Sequence, residues 1–200
     1  HDEVVHGKRS LLEKMPGDVW RRFATLRALL VYQVTRPGKG LVFMGTELAP
    51  WIEWDHDHSL DWHLEHDPAR AGLRRFMEDL GRVYLGTPCL WRSDPDPWGV
   101  SWIDCNDHAS SVMSFARRDG EGHAVVILNL TPVPRDDYHV GTPWAGRYAR
   151  LLSTDDPAYG GSGYRPFAFV DTEPVPMHGQ PQSVRLHLPP LGAIVLTPAP

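Results

Sequence analysis

The sequence predicts an α/β segment followed by an all-β sandwich. Two apolar stripes with helical spacing lie in the first half, and a short continuous apolar run separates them. The second half instead holds short apolar or alternating runs that Gly and Pro residues divide. The change falls within residues 88–100, which contain three prolines and a glycine. We therefore expect one domain over residues 1–90 and a second over residues 91–200.

The two helices are predicted by capping residues as well as by spacing. The first follows Asp18 and ends before Pro37–Gly38, and the second begins at Asp67–Pro68 and ends near Gly86. Asp is a favoured N-cap, and Pro is tolerated in the first turn because its missing N–H would be unpaired there. The apolar faces are Val19, Phe23, Leu26, Leu30 and Val34 in the first helix, and Leu73, Phe76, Met77, Leu80, Val83 and Tyr84 in the second.

Between the helices, Leu41–Met44 is a continuous apolar run closed by Gly45. Such a run predicts a strand buried on both faces, as in a parallel sheet. In (β/α)₈ barrels the reactive groups project from the carboxyl ends of the strands. Glu47 follows this predicted strand, and His1-Asp2 would follow a strand that precedes the chain.

The second half contains a series of short strand candidates. Asp119-Gly120 supplies a hairpin turn between two of them, and the apolar residues of 183–188 alternate with polar ones, as in a half-exposed strand. This pattern predicts an antiparallel β-sandwich. The candidates are Ser101–Ile103, Val112–Arg118, His123–Leu130, Gly146–Leu152, Phe167–Val170, Ser183–Leu188 and Gly192–Leu196.

Composition argues against several classes of partner. The net charge is -5, from 20 basic and 25 acidic residues without a basic stripe, which disfavours nucleic acid. No apolar run reaches the roughly 18 residues that a membrane span needs. Cys89 and Cys105 lie outside any CxxC pattern, so we expect reduced thiols and a cytoplasmic protein.

The chain starts with a polar, ionisable cluster, His1 to Lys8, and has no initiator Met or signal peptide. We therefore expect the back part of a longer protein, cut in or next to its catalytic centre. A His beside a carboxylate at a strand end can bind sugar hydroxyls and stabilise positive charge, so His1 and Asp2 are candidate site residues. The alternative is a solvated polar terminus.

A loop from Glu47 to His66 is rich in Trp, His and Asp. Its His and Asp residues are metal-ligand types, but the loop has no HExxH pattern and its spacing suits no helical face. Three tryptophans are interleaved, which favours a loop shaping a carbohydrate cleft over a metal site or a plain surface loop. We expect no metal. The run at 160–163 lacks the Lys-Ser/Thr of a phosphate-binding loop, and we interpret it as a flexible turn.

Six segments of the chain carry a family resemblance. They are HDEVVHGKRSLLEKMPGD at 1–18, RALLVYQVTRPGKGLVFMGTELA at 27–49, EWDHDHSLDWHL at 53–64, WIDCND at 102–107, NLTPVPRDDYHVGTP at 129–143 and EPVPMHGQPQSVRLHLPPLGAIVL at 173–196. In this order they resemble the C-terminal part of bacterial 1,4-α-glucan (glycogen) branching enzymes of the α-amylase superfamily. The resemblance covers essentially the whole chain.

The resemblance implies a fold and an activity. Residues 1–90 would hold the last strand–helix units of a (β/α)₈ TIM-type barrel, and residues 91–200 would form the C-terminal β-domain. The whole enzyme would cleave an α-1,4 linkage of glycogen, hold the cut piece covalently and transfer it to a 6-hydroxyl, as a retaining enzyme with carboxylates about 5 Å apart. No cofactor is expected, and the parent would be a monomer.

The resemblance also assigns residues. Asp2 would stabilise the transition state and His1 would contact glucose hydroxyls, while Glu47, Trp51 and Trp54 would bind substrate at the rim of the cleft. The nucleophile and the general acid would lie upstream, so the 200 residues alone should be inactive. Two alternatives stay open: a non-catalytic glucan-binding or structural module, and part of a related debranching or trehalose-releasing hydrolase.

Overall fold

A computed structural model describes residues 4–199. Its helices are α1 (Leu11–Lys14), α2 (Val19–Thr35) and α3 (Pro68–Gly86), with short 3₁₀ turns at Thr46–Leu48, Trp62–His66, Pro88–Leu90, Pro97–Gly99 and Pro157–Tyr159. The strands are β1 (Val100–Asp107), β2 (Val112–Arg118), β3 (His123–Asn129), β4 (Arg135–Gly141), β5 (Arg147–Ser153), β6 (Phe169–Glu173), β7 (Ser183–Leu188) and β8 (Gly192–Pro198).

The two long helices begin where their caps predict. The Asp18 carboxylate accepts a hydrogen bond from the Arg21 amide at 2.9 Å, and Asp67 accepts from the amides of Ala69 and Arg70. These bonds satisfy amides that have no partner within the first turn of a helix. No helix among residues 4–199 is both long and apolar enough to cross a membrane.

The predicted strand at Leu41–Met44 is wrong for this structure. The segment is irregular and ends in a turn, and Leu41, Val42 and Met44 are 57%, 40% and 53% exposed. A strand needs a neighbour to pair its backbone N–H and C=O groups. No strand lies among residues 4–99 to supply that neighbour.

The eight strands form one antiparallel sheet in the order β1-β2-β3-β8-β5-β6-β7-β4. This confirms the all-β second half but differs from two separate sheets. The sheet curls until its two end strands lie close together, and the Tyr138 hydroxyl on β4 donates to Asp107 on β1 at 2.7 Å. Irregular pairing registers in β1, β4 and β5 favour this curvature, because β-bulges bend and twist strands.

Strand β4 was missed in the sequence because its start, Arg135-Asp136-Asp137, is polar and the alternation is weak. Its partner is β7, where Val140 faces Val184. Strand β6 begins two residues later and ends three residues later than predicted.

Both faces of the sheet centre are buried. Val125 and Ile127 of β3 point into the curled sheet, whereas Val126 and Leu128 belong to the core beneath the helices. Successive residues of a strand point to opposite faces, so β3 contributes to both cores. The helical half therefore packs on the outer face of the sheet.

Two buried arginines fasten the helices to the β-rich half. Arg117 of β2 donates to the Thr35 carbonyl at 2.6 Å and to the Asp94 carboxylate at 2.5 Å. Arg27 of α2 donates to the carbonyls of Thr154 and Tyr159 at 2.8 and 3.0 Å. Burial lowers the pKa of Arg27 to about 10, so it remains charged at neutral pH.

Candidate functional site

The amino-terminal segment is held against the loop that follows α2. The Trp54 amide donates to the Val4 carbonyl at 3.1 Å. The two oxygens of Glu53 accept from the amides of Gly7 and Arg9 at 2.9 and 3.1 Å. His1 and Asp2 lie outside the described residues, and Val4, the first described residue, is bonded directly to the loop.

An open cleft of about 660 Å³ lies between these two segments. Pockets that hold small ligands range from about 300 to 1,000 Å³. The Trp54 ring packs edge-on against Phe43 at 5.3 Å and lies 6.3 Å from the His56 ring. The cleft thus offers apolar surface beside carboxylate and imidazole groups, a combination that can bind a hydroxyl-rich ring. Its lining consists of Val5, His6, Phe43, Ile52, Glu53, Trp54, Asp55 and His56.

Of the three predicted substrate-binding residues in this loop, Trp54 lines the cleft, whereas Glu47 and Trp51 lie outside its lining. Trp51 instead carries the guanidinium of Arg70 over its ring at 5.2 Å, a cation–π contact. Glu47 sits half-buried in a 3₁₀ turn.

The polar run Asp55-His56-Asp57 gathers three possible metal ligands within 4.8 Å of one another, all exposed. Local hydrogen bonds account for this arrangement. Asp55 accepts from the Asp57 amide at 2.9 Å and contacts His58 Nδ1 at 2.8 Å. These bonds lower the pKa of the Asp55 carboxyl. Asp67, which directly follows this loop, caps α3 as predicted.

The glycine-rich run at 160–163 is a turn, as predicted, but it is firmly held rather than flexible. The buried Asp155 carboxylate accepts from the amides of Ser162 and Tyr164 and from the Ser162 hydroxyl, all at 2.7–2.8 Å. The Asp155 carboxylate thus occupies the position in this turn where a phosphate-binding loop would hold a phosphate. A Cβ on Gly161 would lie 2.1 Å from the Asp155 backbone, so glycine is required there.

Glu53 is the functional candidate that sequence reasoning missed. It lies between two tryptophans, which is a weak signal, and its partners are more than forty residues away in sequence. Only the folded chain shows that it holds the segment that follows His1 and Asp2.

Residues 102–199 match the family described as the α-amylase C-terminal all-β domain. A protein named 1,4-alpha-glucan branching enzyme GlgB from Burkholderia thailandensis is 51% identical over 98% of this chain and 24% of its own length. Proteins of that name from Cereibacter sphaeroides and Myxococcus xanthus are 48% and 47% identical over 100% and 99% of the chain and 28% and 27% of their own lengths. The chain therefore spans about a quarter of the length of the relatives it matches.

Proposed function

Since residues 102–199 belong to the α-amylase C-terminal all-β domain family and the whole chain is similar to 1,4-α-glucan branching enzymes, we propose that this chain is the C-terminal part of such an enzyme. The observation that carries the proposal is the 47–51% identity, which extends across both the helical and the β-rich halves. The complete protein then cuts an α-1,4-glucan and transfers the released piece to a 6-hydroxyl.

The first half is proposed to complete a (β/α)₈ barrel in that protein, with residues 1–90 in the barrel and residues 91–200 in the β-domain. The exposed apolar side chains of Leu41, Val42 and Met44 support this assignment. Packing of the rest of the barrel against this segment would bury these side chains.

The proposed chemistry is that of a retaining glycosidase in which a sugar hydroxyl replaces water. A carboxylate attacks the anomeric carbon while a carboxylic acid protonates the leaving oxygen. The acceptor 6-hydroxyl then displaces the enzyme carboxylate and gives its proton back to the deprotonated acid residue. Both carboxyl groups are assigned to the part of the protein before this chain. Asp2 is proposed to stabilise the transition state and His1 to bind glucose hydroxyls.

The cleft around Trp54 is proposed as part of the glucan-binding surface, with Glu47 and Trp51 at its rim. The support is the bond from Trp54 to Val4, two residues after Asp2, together with the clamp by Glu53. These contacts connect the proposed catalytic segment to an aromatic-lined cleft.

The test is the reaction of the full-length protein with amylose. We expect loss of iodine colour without new reducing ends, and α-1,6 linkages that a debranching enzyme releases. New reducing ends in proportion to the colour loss would refute the proposal and indicate a hydrolase. A protein that binds glycogen but changes neither signal would indicate a binding module.

Variants connect the activity to this chain. Asp2→Asn should abolish branching, because the amide carries no charge to stabilise a positive transition state. Trp54→Ala should weaken glucan binding. The matched control is Trp62→Ala, because Trp62 is also exposed but lies outside the cleft lining.

Activity that survives a chelator agrees with the proposed mechanism, which uses no metal. We also propose that the whole protein acts as a cytoplasmic monomer, which gel filtration and cell fractionation test.

A further inference from the structure

The turn at residues 4–9 has an unfavourable backbone conformation. It belongs to no helix or strand. His6, Gly7 and Arg9 have φ angles of 61°, 77° and 72°, which lie in the left-handed region. Glycine adopts such angles freely, but in His6 and Arg9 the Cβ atom crowds the following carbonyl oxygen. These two residues keep the conformation only because other contacts hold them in it.

The Glu53 carboxylate holds this turn from a distant part of the chain. One of its oxygens accepts from the Gly7 amide at 2.9 Å, and the other accepts from the Arg9 amide at 3.1 Å. Both donors are backbone groups, so the contact fixes the path of the chain itself. Hydrogen bonds to an ionised carboxylate are roughly twice as strong as those between neutral groups. A neutral side chain of the same size would therefore hold the turn less firmly.

A further hydrogen bond ties the start of the turn to the same loop. The Trp54 amide, next in sequence to Glu53, donates to the Val4 carbonyl at 3.1 Å. The turn is thus fixed near both of its ends. Two residues of chain span at most about 7 Å, so fixing Val4 restricts the positions that Asp2 can reach.

The contact between loop and turn lies in the wall of the cleft described above. Glu53 and Trp54 line that cleft from the loop, and Val5 and His6 line it from the turn. The same backbone bonds therefore shape the cleft and hold the segment that follows Asp2. Strained residues that the surrounding structure fixes in place are typical of functional sites.

We propose that Glu53 is a positioning residue for the transfer reaction: it holds the turn in its left-handed conformation and thereby places Asp2 against the sugar. This inference rests on the proposed function, which assigns the reaction and the role of Asp2. Catalytic groups must be held within about 0.5 Å of their working positions, and a misplacement of about 1 Å can cost about 100-fold in rate. A loosened turn therefore slows the chemical steps more than it weakens glucan binding.

Hydrogen exchange of the full-length protein tests the clamp without using activity. Glu53→Gln leaves one acceptor oxygen, and its NH₂ group faces an amide that also donates. We expect the Gly7 and Arg9 amides to exchange about tenfold faster, which corresponds to losing one charge-assisted bond. Glu65→Gln is the matched control, because Glu65 is also half-buried but bonds to Arg74 at 3.2 Å. Equal exchange in Glu53→Gln and the parent would overturn the proposal.

Kinetics separate positioning from substrate contact and from a purely structural role. In Glu53→Gln, kcat for branching of amylose should fall by about 10- to 100-fold, while KM stays within about twofold of the parent. A raised KM with an unchanged kcat would show that Glu53 binds substrate, which contradicts the proposal. A lowered melting temperature with the parental kcat would show a structural role alone and would also contradict it.

Gly7→Ala tests the turn from its other side. A Cβ on Gly7 would meet nothing within 4 Å, so alanine changes only the cost of the positive φ. This variant should also lower kcat at an unchanged KM, although it leaves Glu53 intact. Gly179→Ala is the control, because Gly179 has a φ of 74° and open space around it but lies between β6 and β7. Parental kcat in Gly7→Ala would refute the role of the turn.

The two sets of measurements can fail separately. Branching activity in the parent, with parental exchange and kcat in Glu53→Gln, refutes the positioning role alone. A parent without branching activity refutes the proposed function, and the positioning role then falls with it whatever the exchange rates are.

Discussion

Acidification from pH 8 to pH 5 should destabilise the protein partly through His123, and a His123→Gln variant should lose that part of the effect. The ring is almost fully buried between Tyr148 and Trp144. Burial, with a smaller contribution from the nearby Arg118, lowers its pKa from 6.5 to about 4. Gln keeps a donor for the Tyr148 hydroxyl but has no titration in this range.

The sign follows from proton binding. Below pH 6.5 the unfolded chain protonates this His while the folded protein does not, so the unfolded state is favoured progressively. The stabilisation is complete above the unfolded pKa and is lost as the pH falls toward about 4. With these two pKa values, the free energy of unfolding should fall by about 2 kcal/mol between pH 8 and pH 5 through this residue alone.

Urea unfolding at both pH values measures the effect. The quantity to compare is the difference in unfolding free energy between pH 8 and pH 5, which cancels any constant cost of the substitution. The difference should be about 2 kcal/mol smaller in His123→Gln than in the parent. His56→Gln replaces a histidine whose side chain is 75% exposed and should behave as the parent does. An equal pH difference in all three proteins would refute the burial argument.

Three further predictions concern packing and thiol reactivity. Arg117→Met should lower the unfolding free energy by about 2–4 kcal/mol, because it leaves the carbonyls of Thr35 and Gly99 without their buried donor, while Asp94 keeps its bond from Lys39. A loss below about 1 kcal/mol, as expected for an exposed pair, would contradict this. Gly72→Ala should lower the melting temperature, because its new methyl would lie 2.9 Å from the Tyr159 backbone; Gly81→Ala, with open space around it, is the control. Cys105 should react with a thiol reagent before unfolding and Cys89 only after it, because burial raises the pKa of Cys89 to about 11. Reaction of both thiols at equal rates would show that the Cys89 site opens.

Elements whose bonding partners are close in sequence were predictable, whereas elements whose partners are distant in sequence were not. Helices α2 and α3 were predictable because their caps, Asp18 and Asp67, bond to amides two or three residues away. The run Leu41–Met44 was misjudged because strand formation depends on a neighbour, and apolar composition alone does not supply one. The curling of the sheet was also unpredicted, since Tyr138 and Asp107 lie 31 residues apart.

The sequence by itself determined the helices, the all-β character of the second half and the resemblance to branching enzymes, because capping, periodicity and long motifs are local properties. Only the tertiary structure decided that Glu53 holds the amino-terminal segment and that Trp54 lines the cleft. Those arrangements bring together residues more than forty positions apart, which no local pattern specifies.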